Sequence, residues 1–287
     1  MNRSSSNQKS FTLIELLVVI SIIGLLSSIV LVATKGSRAK AQIAKALEFG
    51  QTIHTSLGSE AVGIWDFDNC TASDASGYGN NGTINGATCS SDTPYSAAGQ
   101  GAGGKNSLNF DGTNDYVSAN ISQLSTYTMP VTISVWIYIP STWTWVNGTI
   151  AAFPATNYGM GIYRDATNNQ IVFVARIGSI SPYGWKNYNI QRDTWYHLMF
   201  TGNGATFDAY VNGVKINTSS AAYGVAAGAD ITGVFQLATS TIYGGGGGGY
   251  FGGLIDDVRV YSQVLSQSQI QQQYVLEKHN DLALLNQ

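Results

Sequence analysis

From Phe11 to Ala33 the chain is almost entirely apolar, with no proline, one glycine and one carboxylate, Glu15. The run exceeds the roughly 20 residues that a membrane-crossing helix requires, so it predicts a spanning α-helix before anything else in the sequence is considered. The ten residues ahead of it carry Arg3 and Lys9 and no acid, which holds the N-terminus on the cytoplasmic side and sends the rest of the chain outward. A secretory signal peptide would have a shorter apolar core followed by a small-residue cleavage site. Here the run continues instead into "TKGSRAKAQIAKALEFG". Glu15 is the anomaly, because a charged side chain at the bilayer centre costs about 2.5–3.5 kcal/mol on insertion scales and needs a partner.

Ser10 followed by "FTLIELLVVISIIGLLSSIVLVA" resembles the N-terminal segment of type IV pilins and pseudopilins, over Lys9 to about Gly58. The resemblance implies that a prepilin peptidase cuts between Ser10 and Phe11 and that the new amino group of Phe11 is methylated. It also implies that Glu15, the fifth mature residue, meets the positive N-terminus of a neighbouring subunit during assembly. Opposite charges attract strongly in a low-dielectric bundle, whereas either alone is costly to bury. Two positions depart from the family pattern: Ser10 stands where glycine is usual, and Val32 where many members carry a proline, which predicts a straighter helix. Beyond the run, Lys35, Arg38, Lys40 and Lys45 form a basic cluster that reads as a solvated helix face, the alternative being a contact with anionic lipid or a neighbour's acids. Ile43, Ala46, Leu47, Gly50, Ile53 and Leu57 recur at spacings of three and four, one apolar stripe for packing against the following domain.

Composition changes at Gly58 to Gly63. Short alternating or apolar runs separated by Gly, Asn and Asp turn signals follow, the pattern of an all-β sandwich or barrel. Eleven strand candidates are read, from "GIWDFD" to "YFGGLIDDVRVYS", with hairpin turns at Asn168-Asn169 and Asn212-Gly213. Five segments, "WDFDNCTASDASGYGNNGTINGA", "SLNFDGTNDYVSA", "TISVWIYIP", "TWYHLMFTGNGATFDAYVNGVKI" and "FGGLIDDVRVYSQVLSQSQIQQQY", resemble laminin G-like domains of the concanavalin A-like jelly-roll superfamily. That resemblance spans about Ile64 to Tyr274 and implies two stacked antiparallel sheets, with a closing strand beside the first. The predicted fold class is therefore α+β: a long N-terminal membrane-spanning helix, then a concanavalin A-like sandwich. The predicted boundaries are a leader over 1–10, a helix over 11–58, the sandwich over 59–276 and a tail over 277–287. Ser266 and Gln269 have capping-box spacing and predict a short helix over Ile270 to Leu276.

Chemistry-bearing residues are few. Cys70 and Cys89, the only cysteines, flank a Gly- and Asn-rich loop of an exported chain and read as a disulfide; without nearby histidines they cannot close a zinc site. His197 in "TWYHLMF" reads as a half-buried strand histidine. The four glutamates, Glu15, Glu48, Glu60 and Glu277, all fall outside the predicted strands, so the carboxylate pair of a glycoside hydrolase is missing. Asp256 and Asp257 are adjacent on a strand and should face opposite ways. No nucleophile elbow or phosphate loop appears, and the expectation is a protein without enzymatic activity. A net charge of −3 with 11 % charged residues gives no expectation of nucleic-acid binding.

Trp143, Trp145, Tyr183, Trp185 and Tyr188 lie in the least strand-like part of the chain beside Asn147, Asn187 and Asn189, and are the candidate ligand-binding surface for a glycan; the other reading puts these rings in the core or a lid. The jelly-roll resemblance further implies a structural calcium ion faced by Asp256 on the closing strand. Asp74, in a Gly- and Asn-rich loop that can turn carbonyls inward, is read as its partner, the other reading being that Asp74 hydrogen-bonds its own turn. The expected function is a structural subunit of a type IV pilus-like filament, displaying a lectin-type sandwich for adhesion or glycan recognition. Its partners would be other pilin subunits, the inner membrane and the prepilin peptidase. The expected location is the cell membrane, then an extracellular filament. The alternatives are a pseudopilin or minor pilin of a secretion or DNA-uptake machine, and a membrane-anchored glycan-binding protein that never polymerises.

Overall fold

The structure, a computed structural model, describes residues 13–27, 60–94, 106–124, 130–142, 147–153, 158–177, 184–203, 206–216, 233–239 and 249–284. The chain divides into two compact units, Met1–Gln51 and Thr52–Gln287.

In the first unit, residues 13–27 form helix α1. Its leucine, isoleucine and valine side chains are exposed on every face, from Leu13 at 82 % to Val19 at 46 %. A helix that is apolar all round is built for an apolar surrounding and not for one packed side. The expected stretch to Gly58, its apolar stripe and the processing pair Ser10 and Phe11 lie outside the described residues. No helix among the described residues is long and apolar enough to cross a membrane.

The second unit is a sandwich. Its strands, in chain order, are β1 (Ala61–Trp65), β2 (Gly82–Asn85), β3 (Thr88–Ser90), β4 (Ser107–Asp111), β5 (Tyr116–Asn120), β6 (Val131–Tyr138), β7 (Gly148–Phe153), β8 (Tyr158–Asp165), β9 (Gln170–Ile177), β10 (Gly184–Asn189), β11 (Trp195–Gly202), β12 (Phe207–Val211), β13 (Val214–Lys215), β14 (Val234–Leu237) and β15 (Gly252–Tyr261). Helix α2 (Gln267–Leu284) follows. One sheet runs β13-β12-β11-β6-β15-β4-β3, with β1 also paired to β15; the other runs β10-β9-β8-β7-β14-β5-β2. Every ladder is antiparallel, and β15 does pair beside the first strand, as the resemblance implied.

Alternation explains the core. On β6, Val131, Ile133, Val135 and Ile137 are fully buried against Phe235, Phe153 and Phe173 of the other sheet's inner face, and Trp65 stacks on Phe235 with ring centroids 5.6 Å apart. Asn212 and Gly213 both take positive φ, 51° and 74°, so this two-residue hairpin has the geometry its sequence predicts. Gly148 is required by a close approach: a Cβ there would lie 2.5 Å from the Tyr250 carbonyl oxygen. All eleven strand candidates are present. β2, β3 and β10 are not among them: the first two are short, and β10 falls in the stretch read as the least strand-like part of the chain.

Three expectations about the C-terminal end are corrected. α2 extends well past Leu276, to Leu284, and Glu277 is 2 % exposed, so it belongs to the sandwich and not to a tail. The capping box is present: the Ser266 amide donates to Gln269 Oε1 (2.8 Å) and the Gln269 amide to Ser266 Oγ (3.4 Å). His197 is fully buried, not half-buried, because α2 covers the outer face of β11 and β6. Asp256 and Asp257 do not alternate simply, since the β15–β6 register slips between Asp256 and Arg259 and Asp257 sits at φ 43°, a bulge where β15 passes from pairing with β4 to pairing with β1.

Candidate functional site

Two groupings of polar residues stand out, one under α2 and one at an end of the sandwich. Under α2, Glu277 is the hub. Trp136 Nε1 donates to its Oε2 at 2.7 Å, Gln273 Nε2 donates to its Oε1 at 2.9 Å, and Arg259 forms an ion pair with it. His197 Nε2 lies 3.3 Å from Glu277 Oε2 and 2.8 Å from Ser134 Oγ. An ionised carboxylate only accepts, so the neutral imidazole carries its proton on Nε2. Burial pushes His197 down to about 3, and the Arg259 guanidinium adds to the shift. A serine, a histidine and an acid thus meet, but not as a nucleophile relay. In a relay the acid holds the other ring nitrogen, and His197 Nδ1 is buried without a hydrogen-bond partner. The rings of Trp136, His197 and Tyr274 cluster as a triangle, with centroids 5.0, 5.9 and 5.8 Å apart. The cluster fastens α2 to the sheet.

The second grouping lies at the end where β6 stops, β7 begins, the β8–β9 hairpin turns and β10 passes to β11. Asp193 ties the end of β6 to the β10–β11 connection. Its Oδ1 accepts the Ser141 amide (2.7 Å) and the Tyr138 hydroxyl (3.4 Å), and its own amide donates to the Ile139 carbonyl (3.0 Å). Hydrogen bonds from Ser141, then Tyr138, and the charge of Arg192 hold its carboxyl below the usual range. Arg192 Nη1 donates to the Ser141 carbonyl (3.3 Å). On the outer face the half-buried rings of Tyr138 and Trp195 stand 5.6 Å apart, and Trp195 Nε1 donates to Asp92 Oδ1 at 3.1 Å. On the β8–β9 side, Asn147 Oδ1 accepts the Ala166 amide at 2.8 Å and Asn169 Nδ2 donates to the Ile190 carbonyl at 2.8 Å. Aromatic faces beside fixed Asp and Asn groups can hold a polyhydroxylated ligand.

The sequence-predicted surface is only partly brought together here. Trp143, Trp145 and Tyr183 lie outside the described residues, as does the side chain of Trp185. The segments that flank Trp143 and Trp145, at Ser141 and Asn147, are both anchored at this end. Tyr188 is corrected: its register partner is the buried Ile171, its ring packs on the core, and it meets Tyr196 edge-on at 6.2 Å. Asn187 and Asn189, on the opposite face of β10, are exposed. Tyr138, Trp195 and Arg164 were not singled out from sequence. Period-two alternation carried the signal for all three, since Tyr138 alternates with the valines and isoleucines of β6, and Arg164 falls in step with the buried Met160 and Ile162 of β8.

Cys70 and Cys89 are joined, with Cα atoms 5.4 Å apart. Asp74 hydrogen-bonds its own loop and the first strand. Its Oδ1 accepts the Ile64 and Ser76 amides at 3.0 and 2.9 Å, and its Oδ2 accepts the Ser76 hydroxyl and the Asn80 amide at 2.7 and 2.8 Å. Burial opposes its charge, but these hydrogen bonds outweigh it and keep the carboxyl below its ordinary value. Asp256 is buried on β15 and accepts the Asp257 amide at 2.8 Å. Among the described residues, no three His, Cys, Asp or Glu side chains are grouped to hold a metal.

The prokaryotic N-terminal methylation motif matches residues 5–31. Among curated proteins none matches the chain. Solved structures similar to it include the botulinum neurotoxin serotype D binding domain, at 14 % identity and TM-score 0.57 over 78 % of this chain and 53 % of that one. The serotype D ligand binding domain in complex with N-acetylneuraminic acid aligns at 16 % identity and TM-score 0.59, over 78 % and 52 %. Domain 4 of an extracellular arabinanase from Geobacillus stearothermophilus, in complex with arabinotriose, aligns at 22 % identity and TM-score 0.53, over 74 % and 97 %. The chain spans about half the length of the neurotoxin domains, and at these identities the likeness is one of fold. The laminin G profile of the concanavalin A-like lectin/glucanases superfamily matches residues 111–271, more than half of the chain, and the protein therefore belongs to that superfamily.

Proposed function

We propose that the protein is a subunit of a type IV pilus-like extracellular filament whose sandwich is carried outward for adhesion or glycan recognition. The observation that carries this reading is the union, in one chain, of an N-terminal methylation motif and a lectin-type sandwich. Helix α1, apolar on every face, suits first a bilayer and then the core of a filament, where Glu15 pairs with the amino group of the next subunit's Phe11. The structural relatives that were solved with N-acetylneuraminic acid and with arabinotriose support a saccharide as the ligand class. The reading is of a binding domain: among the described residues, the Ser134–His197–Glu277 grouping is sealed under α2 with the acid on the wrong nitrogen for a relay.

The mass of the mature N-terminus tests the assembly pathway. A chain beginning at Phe11 and carrying one added methyl group is expected. A full-length N-terminus overturns the reading and leaves an anchored protein that never polymerises; a cut after Ala33 overturns it as well, because it removes the apolar run itself. Recovery in sheared surface filaments separates an abundant subunit from a pseudopilin or minor pilin, which would stay with the cells.

A further inference from the structure

Arg164 closes β8 at the end of the sandwich described above, in register with Gly148 on one side and Ile171 on the other. It follows Met160 and Ile162 on the core-facing side of the strand, and it is 1 % exposed. None of Nε, Nη1 and Nη2 has a hydrogen-bond partner among the described residues. A buried side chain that carries donors in a fixed fork normally finds acceptors for them, and a guanidinium cannot escape its charge by losing a proton near neutral pH. Burial, with the nearby Arg192 guanidinium adding to it, pushes Arg164 down only to about 10, so it remains a cation. At the hairpin turn ahead of Ile171, Asn169 Oδ1 is a buried acceptor without a partner, its Nδ2 being committed to the Ile190 carbonyl.

The geometry points to Arg164 as the anchor of an oxyanion site at this end of the sandwich, taking the carboxylate of an acidic sugar. Two parallel N–H groups of the guanidinium match a carboxylate in bidentate fashion, and the positive charge of Arg192 adds to the attraction. The Asn169 oxygen favours a hydroxylated carrier over a bare inorganic anion, because it accepts a hydroxyl hydrogen and repels a naked charge. Asn147, next to the register partner of Arg164, and Ser141 are fixed at the same end of the sandwich and supply polar groups beside it. This inference deepens the glycan-recognition reading and rests on it.

The test uses the full chain in detergent, with thermal unfolding and calorimetric titration by methyl glucuronide, methyl glucoside, sodium sulfate and sodium chloride at matched ionic strength. Methyl glucuronide is expected to bind and raise the midpoint, and the glucoside and chloride are expected to leave it unchanged. Arg164→Met, which replaces an unpaired buried charge with an apolar side chain of similar length, should still fold and should weaken glucuronide binding by at least about tenfold. Arg164→Lys keeps the charge without the fork and should weaken it as well, which serves as the readout if the methionine variant fails to fold. An equal response to sulfate and glucuronide would overturn the sugar assignment and leave an inorganic anion. A glucuronide response unchanged in both variants would overturn the site. No response to glucuronide, with neutral oligosaccharides still bound, would overturn this site while leaving glycan recognition standing.

Discussion

Glu277 accepts from Trp136, Gln273 and Arg259 on both of its oxygens, in a region where it is 2 % exposed. Removing that carboxylate takes the 2.7 Å acceptor from the Trp136 indole N–H and the ion-pair partner from the buried Arg259 guanidinium, which is left with the longer contact to Asp257 (3.4 Å). Gln273 Nε2 keeps only Ser134 Oγ (3.3 Å). Glu277→Ala is therefore expected to destabilise the sandwich by about 3–5 kcal/mol, read from the denaturant midpoint of the full chain. A loss under about 1 kcal/mol would mean that water reaches the cluster once α2 loosens. His197 makes the same region sensitive to acid. Its folded-state value is held down to about 3 from 6.5, so the unfolded chain takes up a proton in acid that the folded chain refuses. Stability is complete above about pH 6.5 and falls as the pH drops from there towards 3. Equilibrium unfolding across that window should show this slope, and His197→Gln should flatten it; an unchanged slope would place the acid sensitivity elsewhere.

At the scale of elements, the first strand is held by the loop that follows it. Asp74 gathers four donors from Ile64, Ser76 and Asn80, Asn80 Nδ2 reaches the Val62 carbonyl at 2.7 Å, and the Cys70–Cys89 bond ties the same loop to β3. The disulfide joins residues separated by 19 positions, and on the chain-entropy account such a closure is worth about 3 kcal/mol. Reduction should lower the melting midpoint without changing the ligand affinity of the distant β8–β9 end, and loss of both together would show that the two ends are coupled. Because all four acceptor positions of Asp74 are occupied by the chain itself, melting in calcium and in chelator should give the same midpoint. A higher midpoint in calcium would restore the ion that the resemblance implied. The turn at Asn212-Gly213, the strands that alternate cleanly and the Ser266 capping box were all legible, because each is governed by residues within a few positions of one another. Strands β2, β3 and β10 were not, since their pairing is decided by neighbours on β5, β4 and β9 and not by their own composition.

At the scale of the whole molecule, the two units answer to different surroundings. Helix α1 exposes apolar side chains on all sides, whereas the sandwich keeps its apolar side chains in one core between the sheets and a smaller cluster under α2. Glu15→Ala should accordingly leave the sandwich folded and the chain membrane-inserted, yet sharply reduce incorporation into sheared filaments; normal filament yield would remove the charge-pairing role. What the sequence determined by itself were the features set by local rules: an apolar run long enough to span, period-two strands, a hairpin turn, a helix cap and a cysteine pair. Only the tertiary structure decided that Glu277 is an interior residue, that Arg164 is buried without a partner, and that β15 bulges at Asp257. The reason is sequence distance. The Trp136–Glu277 bond joins residues 141 positions apart, and no local pattern of polarity encodes which distant group will stand beside a given side chain.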